Sequence, residues 1–140
     1  MAKRKPKPIG KLKAEAATLL QKLRRMEEAD GDGMCVCVTC GKKAHWKDVD
    51  GGHWISRARS GTLLDERNIH PQDKRCNAWG MDALGILEYR RFIVDTYGEA
   101  VALELEEKAK QVVKWNRIEL EDKIADYKAR ILIEAERLGE

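Results

Sequence analysis

Apolar residues return every third or fourth position at both ends of the chain and lose that rhythm in the middle. Between Lys11 and Ala29, Leu12, Ala16, Leu19, Leu20, Leu23 and Met26 recur at helical spacing. The pattern predicts an amphipathic helix, ended by the Asp30-Gly31-Asp32-Gly33 turn, with Lys13, Lys22, Arg24 and Arg25 on its polar face. From Leu84 the period resumes. Leu87, Phe92, Ile93 and Tyr97 fit one helix closed by Gly98; Val101, Leu105, Ala109, Val112 and Val113 fit a second. Asn116, with Glu119 three residues on, reads as a capping start for a third helix carrying Ile118, Ile124, Tyr127, Ile131, Ile133 and Leu138. Residues 34–80 are different. Short β-prone pieces, Met34–Val38 and His53–Ser56, alternate with Gly, Asp and Lys, and no helix is expected before about Asn77.

Charge adds an asymmetry. Net charge is +3, yet residues 1–25 carry nine Lys/Arg against Glu15 alone, whereas residues 98–140 hold eleven acids against eight bases. Residues 1–10, with two prolines and a glycine, read as a flexible basic arm. Such a head suits a polyanionic partner, or is simply a solvated tail. No apolar run is long enough to span a bilayer, and the basic N-terminus lacks the apolar segment of a secretory signal, so an intracellular protein is expected.

All four cysteines and all three histidines fall in residues 34–80, a stretch with little material for a core. In a reducing compartment, clustered cysteines point to metal. Cys37-Val-Thr-Cys40-Gly41 is a two-thiolate knuckle suited to zinc, and the glycine lets the turn fold back. The matching half is Asp73-Lys74-Arg75-Cys76, with aspartate where a second knuckle would have cysteine. Cys37, Cys40, Asp73 and Cys76 would close a structural zinc site, since carboxylate is an acceptable ligand. Cys35 or a histidine is the alternative fourth ligand, and a degenerate site without metal remains open. His45, beside Trp46, reads as structural.

His53 follows a Gly-Gly pair, Asn68 comes fifteen residues later, and Asn77 directly follows Cys76. This order, interleaved with the two metal half-sites, resembles the HNH nuclease motif in its H-N-N form. CVTCG, GGHW, ERNIH, RCN, YGEAV and IADYKARI, as an ordered set, resemble the phage NinG (Rap) recombination-protein family over roughly residues 20–138. The HNH resemblance implies that His53 is a general base, that Asn68 orients the His53 ring through a hydrogen bond, and that Asn77 helps hold a catalytic Mg²⁺ or Mn²⁺. A near-neutral imidazole can deprotonate water, and a divalent cation can hold phosphate and leaving oxygen. The chain departs from that pattern at Gly52, where many HNH proteins carry an Asp or His metal ligand. A replacement would come from Asp50, Asp65 or His70, with His70 favoured for lying two residues from Asn68, or from water and substrate oxygens.

The resulting expectation is an α+β fold: a basic arm at 1–10, an amphipathic helix at 11–30, a zinc-stapled ββα-metal core at 31–83, and C-terminal helices at 84–140 that pack on the core or pair with a second copy. The expected function is an HNH-type, metal-dependent endonuclease cutting branched recombination intermediates such as Holliday junctions or D-loops. It would work in the bacterial cytoplasm, and a homodimer would suit symmetric cutting. Lys3, Arg4, Lys5 and Lys7 on the arm, with Arg57, Arg59, Arg67, Lys74 and Arg75 around the site, are the expected phosphate contacts. The alternative is a non-catalytic zinc module that binds DNA or assists recombination.

Overall fold

A computed structural model of the chain describes residues 5–78 and 82–140. Helix α1 (Ile9–Glu27) is followed by strands β1 (Met34–Val36), β2 (Lys43–His45) and β3 (Asp50–His53). After a long loop come β4 (Ile69–Gln72), the short α2 (Lys74–Ala78), and three helices, α3 (Ala83–Tyr97), α4 (Glu99–Lys108) and α5 (Arg117–Arg137). The architecture is mixed helix with two small antiparallel sheets, one of β1 and β2, the other of β3 and β4. Among the described residues, no helix is long and apolar enough to cross a membrane. Lys3, Arg4 and Trp79 lie outside the described residues.

The apolar stripe of α1 does what its spacing requires. Leu12, Ala16, Ala17, Leu20 and Leu23 are buried against Leu120, Ile124 and Tyr127 of α5 and against Leu63, Leu64 and Ile69. Thus α5 packs across α1. The buried side of α5 is Leu120, Ile124 and Tyr127, while Ile118 and Ile133, expected on the same face, are exposed. Asn116 caps α5 as expected, its Oδ1 accepting from the Glu119 amide at 2.8 Å. A second cluster holds Met26, Ala29, Cys35, Trp46 and Val49; a third joins Trp54 to Tyr89, Ile93, Ala102 and Leu105 of α3 and α4.

Two of the cations assigned to the polar face of α1 are structural. Arg24 is 9% exposed. Its Nε donates to the Glu66 and Ile69 carbonyls at 3.0 and 3.1 Å, and its guanidinium pairs with Glu27 and Glu28. Arg25 donates to the Trp46 and Val49 carbonyls. Both bind α1 to the segments that follow it, because a buried guanidinium must satisfy its several donors.

Candidate functional site

Strand β3 reads Asp50-Gly51-Gly52-His53, and its two glycines are a packing requirement. A Cβ at Gly51 would stand 2.7 Å from the Gln21 carbonyl oxygen of α1, and Gln21 Nε2 donates to the Gly51 carbonyl at 3.0 Å. A Cβ at Gly52 would overlap the Gln72 side chain, which is fully buried. The backbone of β3 is therefore pressed between α1 on one side and Gln72 on the other, and no ligand-bearing side chain fits at Gly52. Register places Asp50 opposite Gln72 and His53 opposite Ile69.

His53 is 7% exposed and lines a cavity of about 330 Å³ together with Gln21, Trp54, Arg57, Asn77 and Ile86. Its Nε2 lies 3.1 Å from the Leu63 carbonyl oxygen. A carbonyl can only accept, so Nε2 carries the proton and Nδ1 carries the lone pair. That Nδ1 is buried without a hydrogen-bond partner. Burial holds the imidazole pKa below its ordinary value, the Leu63 hydrogen bond raises it somewhat, and the Arg57 charge lowers it further. The ring is accordingly neutral, with a free base nitrogen, at physiological pH.

Asn68 makes no hydrogen bond to that ring, contrary to expectation. Its Oδ1 accepts from the Ile55 amide at 2.9 Å, and its Nδ2 donates to the Ile55 and Thr62 carbonyls at 3.0 and 3.3 Å. The Trp54 amide donates to the Asn68 carbonyl. Fully buried, Asn68 ties together the two ends of the loop between β3 and β4. The ring is oriented by Leu63, the residue after Thr62, so Asn68 bears on His53 through the loop backbone. Asn77, on α2, donates from Nδ2 to Asp50 Oδ2 at 3.0 Å, and Lys74 Nζ lies 2.8 Å from Asp50 Oδ1. These two donors outweigh partial burial and keep the Asp50 carboxyl below its ordinary pKa.

His70 is held elsewhere. It is fully buried, with Nδ1 3.2 Å from the Tyr89 hydroxyl and Nε2 2.8 Å from the Tyr97 hydroxyl. Burial, helped by the Arg24 charge, drives its pKa down to about 3. Tyr89 in turn donates to the Gly52 carbonyl at 2.7 Å. Both ring nitrogens are engaged, and the favoured replacement ligand is thus a core residue bracing β3. Asp65 is also engaged, by Arg67 and Lys108.

The thiol cluster is built from Cys37, Cys40 and Cys76, whose sulfurs all lie within 4.8 Å of one another. Gly41, at φ +78°, turns the chain back after Cys40. Thiolates at about 2.3 Å from a tetrahedral zinc stand roughly 3.8 Å apart, so the three sulfurs fit such an ion. Burial opposes ionisation of Cys37, but the Thr39 hydroxyl and the amides of Asp73, Cys40 and Thr39 outweigh it and bring the thiol down to about 7. Burial, with Cys37 and Cys40 close by, pushes Cys76 up to about 11 despite the Thr39 hydroxyl. The three cysteines can hold a metal such as zinc.

The Asp73 carboxylate is not in that group. Its Oδ1 caps α2 by accepting from the Arg75 amide at 2.9 Å, and Oδ2 faces Lys42 at 3.5 Å. What Asp73 gives the knuckle is its backbone amide, aimed at Cys37. Cys35 is buried in the second core cluster, its thiol donating to the Arg25 carbonyl at 3.3 Å. His45 accepts from the Lys47 amide and fills the space over Gly33.

Of the expected phosphate contacts, Lys5, Arg57, Arg59, Lys74 and Arg75 are exposed. Lys7 pairs with Glu15. Arg67 is committed to Asp65 and Glu104, part of a network that includes Lys108. Gln21 and Ile86, which line the cavity, carry no mark in the sequence that separates them from other helical positions. The Leu63 carbonyl is a backbone group, and side-chain patterns do not reveal it.

The fold and these sites define a small α+β protein with a three-thiol cluster that can hold a metal such as zinc and a cavity lined by a buried histidine. The family model described as Bacteriophage Lambda NinG protein matches residues 1–136, and the chain belongs to this phage recombination-related family. A search of curated proteins found no match, and neither did a search of solved structures.

Proposed function

We propose that the protein is an HNH-type, metal-dependent DNA endonuclease that cuts branched recombination intermediates such as Holliday junctions or D-loops. The observation that carries this reading is the His53 ring: its protonated nitrogen is fixed on the Leu63 carbonyl, its other nitrogen is buried and unpartnered, and the residue lines a cavity. A core histidine normally satisfies both nitrogens, as His70 does. An unsatisfied buried acceptor costs stability, and a base awaiting a water is the functional reason to keep it. The β3–β4–α2 order, with Asn77 on the helix, supports a ββα-metal assignment for this unit.

In this mechanism His53 Nδ1 takes a proton from the water that attacks phosphorus. The Leu63 carbonyl steadies the imidazolium that forms, because the Nε2–H bond strengthens as the ring becomes positive. A bound divalent cation would neutralise the phosphate and stabilise the leaving oxygen. Asn68 keeps the loop, and so the Leu63 carbonyl, in place. Arg57 at the cavity and Arg59 and Arg75 outside it bind flanking phosphates as exposed cations. The three thiolates would anchor zinc as a staple between the β1 turn and α2, setting Asn77 beside β3.

The test is cleavage of a labelled four-way junction by wild type and His53→Ala in Mg²⁺, with wild type in EDTA and a linear duplex as controls. Cutting that requires both Mg²⁺ and His53, with the junction preferred over the duplex, is the expected result. Tight junction binding with no cutting in any divalent metal, unchanged by His53→Ala, would establish an accessory DNA-binding module instead.

A further inference from the structure

We propose that Ile86 is an apolar wedge that covers an unstacked base at a DNA branch point, and so selects branched DNA over linear duplex at the His53 site. The inference deepens the nuclease reading and rests on its claim that DNA binds at the His53 cavity.

The His53 cavity, about 330 Å³, is continued by a second hollow of about 480 Å³, and the two share Trp54, Ser56 and Ile86 as lining. Trp54 is buried in the core cluster of α3 and α4, so it forms a fixed floor. Ile86, near the start of α3, is 45% exposed, and it is the exposed large apolar side chain common to both walls. Its helix neighbours Gly85 and Tyr89 are buried, so α3 presents it from a packed support. A lone exposed isoleucine is ordinary on a protein surface. This one stands in the wall of the cavity that His53 lines, where it meets whatever enters.

The charge along this groove points to the occupant. Arg57 lines the first hollow and Arg59 the second; both are exposed, and neither pairs with an acid among the described residues. Glu106, the acid in the second wall, is held by Arg90 at 2.9 Å, and Lys110 there pairs with Glu107. Two unneutralised guanidinium groups and one exposed apolar side chain along the same groove suit a nucleic-acid strand. Its phosphates meet the arginines while a base meets the isoleucine. In a linear duplex every base is stacked on both sides, so an inserted side chain must part a step. At a branch point stacking is already interrupted, and the cost of uncovering a base is smaller, as it is for mismatched or unpaired bases. The wedge therefore gains more from branched DNA than from duplex.

The experiment places a fluorescent adenine analogue, whose emission rises on unstacking, at the branch point of a four-way junction and, as control, inside a linear duplex. Zinc-loaded wild type, Ile86→Ala, Ile86→Phe and Arg59→Ala are titrated without Mg²⁺. Wild type should raise the junction signal and leave the duplex signal unchanged. Ile86→Ala should lose the rise and bind the junction about tenfold more weakly, the scale of two methylene groups left uncovered, at unaltered salt dependence. Ile86→Phe should keep the rise, a result that misfolding cannot imitate. Arg59→Ala should weaken junction and duplex binding alike and lower the salt slope by about one. Equal signals and affinities in wild type and Ile86→Ala, an Ile86→Phe protein that behaves like Ile86→Ala, an equal rise in the duplex, or no junction binding by wild type overturns the wedge. A changed solution mass of free Ile86→Ala with the rise intact also overturns it, and gives the face to a second copy. Unchanged binding by Arg59→Ala overturns the phosphate contact. Junction cleavage in Mg²⁺, run in parallel, separates this inference from the reading beneath it. Cutting without an Ile86-dependent rise removes the wedge and leaves the nuclease. An Ile86-dependent rise without cutting removes the nuclease and leaves the wedge.

Discussion

Replacing Asn68 tests whether it is a loop clamp or a partner of the histidine ring. Its amide makes three hydrogen bonds, one accepted from the Ile55 amide and two donated to the Ile55 and Thr62 carbonyls, at full burial. Each net bond contributes roughly 1 kcal/mol, so Asn68→Ala should cost about 3 kcal/mol, a large share of the roughly 5–15 kcal/mol that holds a domain folded. Asn68→Asp keeps the shape but sets an acceptor oxygen against two carbonyls. It should cost at least as much, because the alternatives are a buried unpaired charge or a protonated acid with one donor for two acceptors. The assay is urea unfolding followed by tryptophan fluorescence, where a lower midpoint at unchanged slope reports lost stability. An Asn68→Asp protein within about 0.5 kcal/mol of wild type would refute the clamp, since a residue touching only the ring would leave the loop backbone intact.

Three further outcomes follow from named contacts. Gly52→Asp should not restore a metal ligand; it should destabilise the fold by roughly 1–3 kcal/mol through overpacking against Gln72, seen as a lower urea midpoint. Stability should fall as pH drops from about 6.5 towards about 3. The unfolded chain protonates His70 in that window while the folded chain, with its pKa near 3, does not; the stabilisation is complete above the unfolded pKa. His53, also shifted down, contributes in the same direction, so His70→Gln should flatten the slope in part, as measured by unfolding at pH 7.5 and 5. Zinc content by elemental analysis should be one ion per chain, lost in Cys37→Ser and Cys76→Ser but retained in Asp73→Ala, because Asp73 caps α2 and its carboxylate stands outside the thiol group.

The long helices were legible because burial follows the sequence period. Leu12, Ala16, Leu20 and Leu23 are the inner face of α1, and Asn116 caps α5 as its spacing to Glu119 implied. The strands were less so. Strand β4, Ile-His-Pro-Gln, is buried throughout and shows no alternation, and the Gly-Gly of β3 reads as a turn until the approach of Gln21 and Gln72 explains it. The strand expected over His53–Ser56 ends instead at His53, where the chain enters the loop clamped by Asn68. Helix α2 begins at Lys74, earlier than expected, because Asp73 caps it. The second C-terminal helix stops at Lys108 rather than Val113, because the following residues lie over the loop and the Val113 amide donates to Ser60. Within the site, the types and order of His53, Asn68, Asn77 and the three knuckle cysteines were readable. Which nitrogen of His53 is free, and which aspartate meets Asn77, depend on contacts across the fold that spacing does not encode.

The segment that ends α4 also touches Gly61, where any Cβ would collide with the Lys108 carbonyl. The backbone leaving α4 thus rests directly on the loop that carries Leu63, while α1 rests on Gly51 from the other end of the chain. A histidine in the middle of the sequence is aligned by one segment 32 residues before it, at Gln21, and another 55 residues after it, at Lys108. The small hairpin and its helix are therefore not a cassette that can be cut out and grafted onto another scaffold. A fragment confined to them would keep the motif letters and lose the supports that hold His53 in place. Variation among relatives should accordingly couple Gly51 and Gly61 to whatever packs on them, so that the two ends of the protein evolve together with its centre.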